Sequence, residues 1–193
     1  MNKLNFELRR KIFHVFLGIF ILASALLIPQ IKWVLFYTLV FGMLVSIASV
    51  FFRIPFISFM LDNFERPVYR KTFPGKGLLF FLAGSLLVLK LFPNDIALAS
   101  IAILTFSDPF FSFDKRVFKG IFKFKKLRSF LLGLIAGALA ASFFISPISA
   151  FLATFIAAVI ESIAIFLGSD QVDDNIIIPI TAGTALYVLP RII

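Results

Sequence analysis

The sequence predicts an all-helical, polytopic integral membrane protein with about seven transmembrane helices, and three observations carry that expectation. Of its 193 residues, 61% are hydrophobic and only 15% charged, where a soluble domain averages roughly 45–50% and about 25%. The mean hydropathy is +1.04. Apolar runs recur at 12–28, 32–52, 77–92, 95–113, 129–146, 148–167 and 175–192, most of them close to the ~20 residues that a spanning helix requires. The basic residues fall in alternate connections between these runs, as they do when only one side of a bilayer collects positive charge.

Each run has its own justification. The first is too long for a signal-peptide core, and no small-residue cleavage site follows it. The turn at Pro29-Gln30-Ile31 separates it from the second. The third is the shortest, and Pro93-Asn94-Asp95 divides it from the fourth. Polar residues interrupt the fourth run at Ser107-Asp108 and the sixth at Glu161, and the seventh follows Asp173-Asp174 directly. The short connections lie on one side and the long ones, 53–76 and 114–128, on the other. Long loops in compact proteins are functional or disordered, and these are too rich in Phe and Ile for disorder. No repeat is visible, so residues 1–193 read as one integral membrane domain.

Orientation follows from counting. Lys3, Arg9, Arg10 and Lys11 precede the first run. Arg53, Arg66, Arg70, Lys71 and Lys76 lie between the second and third. Lys115, Arg116, Lys119, Lys123, Lys125, Lys126 and Arg128 lie between the fourth and fifth. These are sixteen of the 19 basic residues, against Lys32, Lys90 and Arg191 on the other side. This puts the N-terminus in the cytoplasm and the C-terminus outside the cell membrane. A net charge of +9 and a pI near 10.1 would suit nucleic acid, but charges placed this way suit anionic lipid head groups and exclude a nucleic-acid partner. The absence of Cys excludes disulfides and thiolate sites, and the single His14 excludes a histidine-cluster metal site.

Ionisable groups within a bilayer are expensive and mark function by default. His14 is expected about one turn into the first span and Asp108 in the last third of the fourth. Glu161 is expected about two turns from the cytoplasmic end of the sixth, and Asp173, Asp174 and Asn175 at the cytoplasmic start of the seventh. All converge on one membrane face, beside Glu7. Carboxylates with an Asn make a hard-oxygen environment suited to Mg²⁺. A divalent ion beside Lys and Arg is the equipment of phosphoryl and nucleotidyl transfer. Phe73-Pro74-Gly75-Lys76-Gly77 is no Walker motif, so a bound nucleotide would occupy a non-P-loop site. Plainer readings stand beside these. Glu7, Lys11 and His14 share a helical face, which also describes a solvated interfacial charge cluster. The 115–128 loop suits a stretch lying on anionic lipid, and Gly133-xxx-Gly137 suits close helix packing. Asp173-Asp174-Asn175 contains a helix cap.

Several motifs resemble one known family. Glu7-x-x-Arg10-Lys11-x-x-His14, opening the first span, is similar to the start of the CTP-dependent lipid-alcohol kinases. These comprise dolichol kinase, phytol kinase and CTP-dependent diacylglycerol kinase, relatives of the phosphatidate cytidylyltransferases. Glu65 with Gly75-Lys76-Gly77, Asp108-Pro109 ahead of a basic loop, Glu161, and Asp173-Asp174-Asn175-x-x-x-Pro179 continue the resemblance along nearly the whole chain. Ser107 stands where the family has Gly. Of the family's Lys-Ser-x-Glu-Gly only Gly133 is kept, with Lys125, Lys126 or Arg128 as the candidates to replace its Lys.

The resemblance implies transfer of the γ-phosphate of CTP, with Mg²⁺, to a membrane lipid alcohol (a polyprenol, another isoprenoid alcohol or diacylglycerol) at the cytoplasmic face. It assigns Asp108, Asp173 and Asp174 to metal and phosphates, and Asn175 to orienting them. Glu161 would support the site or help deprotonate the lipid hydroxyl. Arg10, Lys11 and His14 would line the entrance, with Lys76 and Lys126 or Arg128 on the nucleotide. Two alternatives share the fold: a CDP-lipid synthase, and a family member that kept the scaffold without turnover. The oligomeric state is left open, a homodimer included.

Overall fold

Among the described residues, each of the seven apolar runs contains a helix. The computed structural model describes residues 3–111, 123–166 and 173–189. Among the described residues there are eight helices and no strand: α1 (Lys3–Leu27), α2 (Ile31–Phe51), α3 (Pro55–Phe64), α4 (Lys76–Leu91), α5 (Asn94–Phe111), α6 (Lys123–Ala141), α7 (Pro147–Phe166) and α8 (Asp174–Val188).

Two connections differ from expectation. The region 53–76, expected as a loop, contains α3. Extended backbone at Ile54 precedes it, and Pro55 occupies its first turn, where a missing N–H costs no intrahelical bond. The basic connection 114–128 is helical from Lys123 onward. Its positions 112–122, Lys115, Arg116 and Lys119 included, lie outside the described residues, as does the Lys126 side chain.

The Asn5–Leu27 segment of α1 and all of α2 are long and apolar enough to cross a membrane. Along α2, Trp33, Phe36, Tyr37, Phe41, Leu44, Ile47 and Phe51 are exposed. Soluble monomers rarely expose contiguous apolar patches beyond a few hundred Å², so this surface is compatible with lipid contact.

The core centres on α5, which packs against α1, α4, α6 and α8. Small residues allow this. Ala97, Ala99, Ala102, Ser100 and Thr105 are all but fully buried, and glycines on the neighbours let backbones approach. A Cβ on Gly18 of α1 would stand 2.1 Å from Thr105 Oγ1, and one on Gly137 of α6 would stand 1.9 Å from Ser107 Oγ. Gly133 lies against the Phe111 ring, and its carbonyl accepts a hydrogen bond from Ser107 Oγ at 3.0 Å. The Gly133-xxx-Gly137 spacing is therefore a close-packing face. Ser107 is thus a tie between α5 and α6. Where lipid replaces water, such van der Waals contact and interhelical hydrogen bonding hold helices together.

Candidate metal centre and its cavity

Three carboxylates from three helices meet at one end of this core. Asp108 lies on α5, Glu161 on α7 and Asp174 in the first turn of α8. Each offers an oxygen within 4.8 Å of the others. Asp108 is 8% exposed and Glu161 3%. At such separations two ionised carboxylates repel by about 3–4 kcal/mol with an effective dielectric of ~20, more than one helix contact returns. A cation or a proton relieves that repulsion.

Local chemistry explains how α8 presents its members. Asp173 is the N-cap, in extended conformation, and its Oδ1 accepts from the Asn175 backbone N–H at 3.2 Å. The same oxygen accepts from Asn175 Nδ2 at 2.6 Å, while Oδ2 lies 3.5 Å from Lys76 Nζ. Asp173 is thus engaged by the cap and by α4. The carboxylates that converge are Asp108, Glu161 and Asp174, with Glu161 in the place expected for Asp173. Asn175 Oδ1 is buried and accepts no hydrogen bond among the described residues. Carboxylate and amide oxygens in this arrangement are the hard donors that suit Mg²⁺. The Asn-x-x-x-Pro spacing also gains a reason. Pro179 lacks the N–H that would bond the Asn175 carbonyl one turn earlier, and Gly84 of α4 lies directly against that carbonyl.

The N-terminal half of α1 covers the centre. Glu7 and Lys11 are each 7% exposed, so their shared face is buried and is not a solvated cluster. Glu7 pairs with Arg10 at 3.1 Å. The Lys11 ammonium donates to the Pro109 carbonyl. His14 Nε2 lies 3.7 Å from Asp108 Oδ2 and 3.4 Å from the Leu104 carbonyl, and its ring stands edge-on to Phe81 at 4.6 Å.

These groups open onto a cavity of about 380 Å³, within the usual range for a small-molecule site. Its walls differ in character by element. The charged and amide side chains, Arg10, Lys11, His14, Glu65, Arg66, Lys76, Asp108, Asp173, Asp174 and Asn175, come from α1, the 65–75 turn, α4, α5 and α8, where Phe13, Leu17, Leu79 and Phe81 lie among them. The facing walls, from α2 and α3, are mainly apolar: Phe41, Val45, Phe56, Ile57, Met60 and Leu61. Gly75, in the left-handed region at φ 77°, turns the chain into α4. The Pro74 carbonyl before it accepts from Ser46 Oγ of α2 at 2.5 Å. Lys76 then points across the rings of Tyr69 and Phe80 toward Asp173.

The cavity therefore gathers Arg10, Lys11, His14, Lys76, Asp108, Asp173, Asp174 and Asn175. Glu161 completes the carboxylate group without lining the cavity. Arg128 is exposed on α6 and does not line it either. Sequence reading missed α3 as a wall and Arg66 as a lining residue. The Pro55 start was a usable signal for α3, whereas nothing separates Arg66 from its basic neighbours. Burial, followed by the nearby charge of Arg10, lowers the Arg66 pKa from its ordinary value.

Burial first, and the charge of Asp174 second, push the Asp173 carboxyl up from 3.8 to about 6. Because the folded value is the higher one, the stabilising contribution is complete below about pH 4 and is lost as pH rises through about 6. Asp173→Asn keeps a good cap and removes the titration. In Mg²⁺-free detergent, wild type is expected to lose on the order of 2 kcal/mol relative to this variant between about pH 4 and pH 7. Melting curves across that range check it, and a constant gap between the two proteins would contradict it.

No protein-family model, no curated protein and no solved structure matches the chain.

Proposed function

We propose that the chain is a CTP-dependent kinase acting on a membrane lipid alcohol, with seven spans, a cytoplasmic N-terminus and its site at the cytoplasmic face. The single observation that carries this reading is one cavity that joins a cluster of carboxylates and cations to a broad apolar lining, most of it on α2, α3 and α4. A phosphoryl donor needs the first, and a lipid needs the second. The motifs shared with the lipid-alcohol kinases supply the choice of CTP.

Asp108, Glu161 and Asp174, with Asn175 Oδ1, would hold Mg²⁺. When bound, the ion supplies charge neutralisation to the polyphosphate. Lys76 and Arg10 draw the triphosphate into the cavity, and the walls of α2 and α3 hold the hydrocarbon chain so that its hydroxyl faces Asp108 and Asp174. The lipid oxygen bonds to the γ-phosphorus as the bond to the β–γ bridging oxygen breaks. The hydroxyl proton passes to a cavity-facing carboxylate oxygen, and CDP leaves. Glu161, which does not line the cavity, completes that ligand set beside Asp108 and Asp174. Positioning and charge stabilisation dominate in-line phosphoryl transfer.

The test uses detergent-purified protein with γ-labelled CTP, Mg²⁺ and a panel of polyprenols, phytol-like alcohols and diacylglycerol. Label in the lipid is the expected result. Pyrophosphate release with phosphatidate would replace the reading with a CDP-lipid synthase. Neither product from a well-folded preparation would leave the scaffold alternative.

A further inference from the structure

Arg66 follows Glu65 in the turn after α3 and lines the cavity beside Arg10. Three other cations on the same walls have partners: Arg10 has Glu7 at 3.1 Å, Lys76 has Asp173 at 3.5 Å, and Lys11 has the Pro109 carbonyl. Arg66 differs. Its backbone N–H donates to Glu65 at 2.9 Å, but that bond leaves the guanidinium unused. Its Nε is buried without a hydrogen-bond partner. Among the described residues no carboxylate lies within ion-pair distance of it.

Its electrostatic surroundings are two-sided. Arg10 is the principal charge opposing that of Arg66, while Glu7 and Asp174 favour it. The guanidinium thus stands within electrostatic reach of a second guanidinium and of the carboxylate group suited to a cation. Two like-charged forks facing one partly dry space are unfavourable alone, and an anion between them reverses the sign of that interaction. A planar guanidinium matches phosphate oxygens two at a time, which an ammonium cannot do. Arg10, held by the buried Glu7, is already oriented for this.

We propose that Arg66, together with Arg10, binds a phosphate group inside the cavity, on the walls that also carry the carboxylates. The inference rests on the reading of the cavity as a metal–phosphate site and adds the residue pair that clamps the phosphate. The same chemistry is available from two sources, the polyphosphate of a soluble nucleotide and the phosphate head group of a membrane lipid.

The test measures binding without turnover, so it is independent of the kinase assay. Full-length protein in nanodiscs of phosphatidylcholine is titrated with inorganic tripolyphosphate under excess Mg²⁺. In a second arm, nanodiscs with and without phosphatidate are compared by melting temperature. Wild type is expected to be protected in one arm or both. Arg66→Gln should weaken that protection at least about tenfold, the usual scale for hydrogen bonds to a charged group. Arg66→Lys, which keeps the charge and loses the fork, should fall between the two and serves where the Gln variant folds poorly. Protection by tripolyphosphate assigns the site to a nucleotide, and protection by phosphatidate assigns it to a head group. Wild-type binding by both variants, or no protection of wild type in either arm, overturns the proposal.

Discussion

Asp108→Asn and Asp174→Asn are each expected to lower Mg²⁺-dependent turnover by at least ~10²–10³-fold, on the scale of removing one preorganised electrostatic group. Both substitutions keep the side-chain volume, and both sit in the trio whose oxygens lie within 4.8 Å of one another. In the metal-free protein they remove one of three mutually repelling carboxylates, so melting temperatures should stay level or rise slightly. With Mg²⁺ the order reverses. Wild type gains stability by mass action from an ion that binds only the folded state, and the variants do not. Asp173→Asn separates this trio from the set expected from the motifs. It loses the ion pair to Lys76 but keeps the cap, so its turnover should fall by no more than about tenfold, the smaller end of what supporting residues around a metal contribute. Full activity in both trio variants would remove the site assignment. A loss in Asp173→Asn as deep as theirs would restore the motif-based set.

How much of this was legible in the sequence depends on the range over which each signal acts. Apolar runs are local, and each of the seven contains a helix among the described residues. The places of Asp108 and Glu161 within those runs, and of Asp174 just before the last, are also local, and the alternation of the basic residues led to the expectation that they share one face. Which oxygens then meet is decided by helix packing. Asp173 and Asp174 are adjacent and identical in type, yet the cap turns one toward Asn175 and Lys76 and the other toward Asp108 and Glu161. Periodicity cannot assign that choice. Arg66 is a similar case, because its role comes from α3 folding against α1 and bringing the following turn to the cavity. The ten residues of α3 are too short and too mixed to declare a span, and they sit between basic residues that dominate the reading of the loop.

Gly84→Ala is expected to damage both fold and site, although alanine is the better helix former by about 1 kcal/mol. Its Cβ would stand 2.1 Å from the Asn175 carbonyl oxygen, 3.2 Å from the carbonyl carbon and 3.3 Å from Pro179 Cγ. The first two are backbone atoms, which cannot rotate aside as a side chain does. Ordinary carbon–oxygen contact begins near 3.3 Å, so α4 and α8 must part by about 1 Å. Overpacking of this kind costs about 1–3 kcal/mol, which exceeds the propensity gain. The displaced segment is also the one that carries Asp173, Asp174 and Asn175. A shift of ~1 Å at a catalytic constellation is worth about 10² in rate, so turnover and Mg²⁺ protection should fall further than the loss of stability alone would explain. Gly77, on the same helix, has nothing within 4 Å of its would-be Cβ. Gly77→Ala should therefore raise stability by about 0.5–1 kcal/mol. Opposite shifts in melting temperature from the same substitution two turns apart on α4 would isolate close approach to the Asn175 carbonyl as the cause. A Gly84→Ala protein that melts and turns over like wild type would mean that α8 is not held against α4 at that carbonyl.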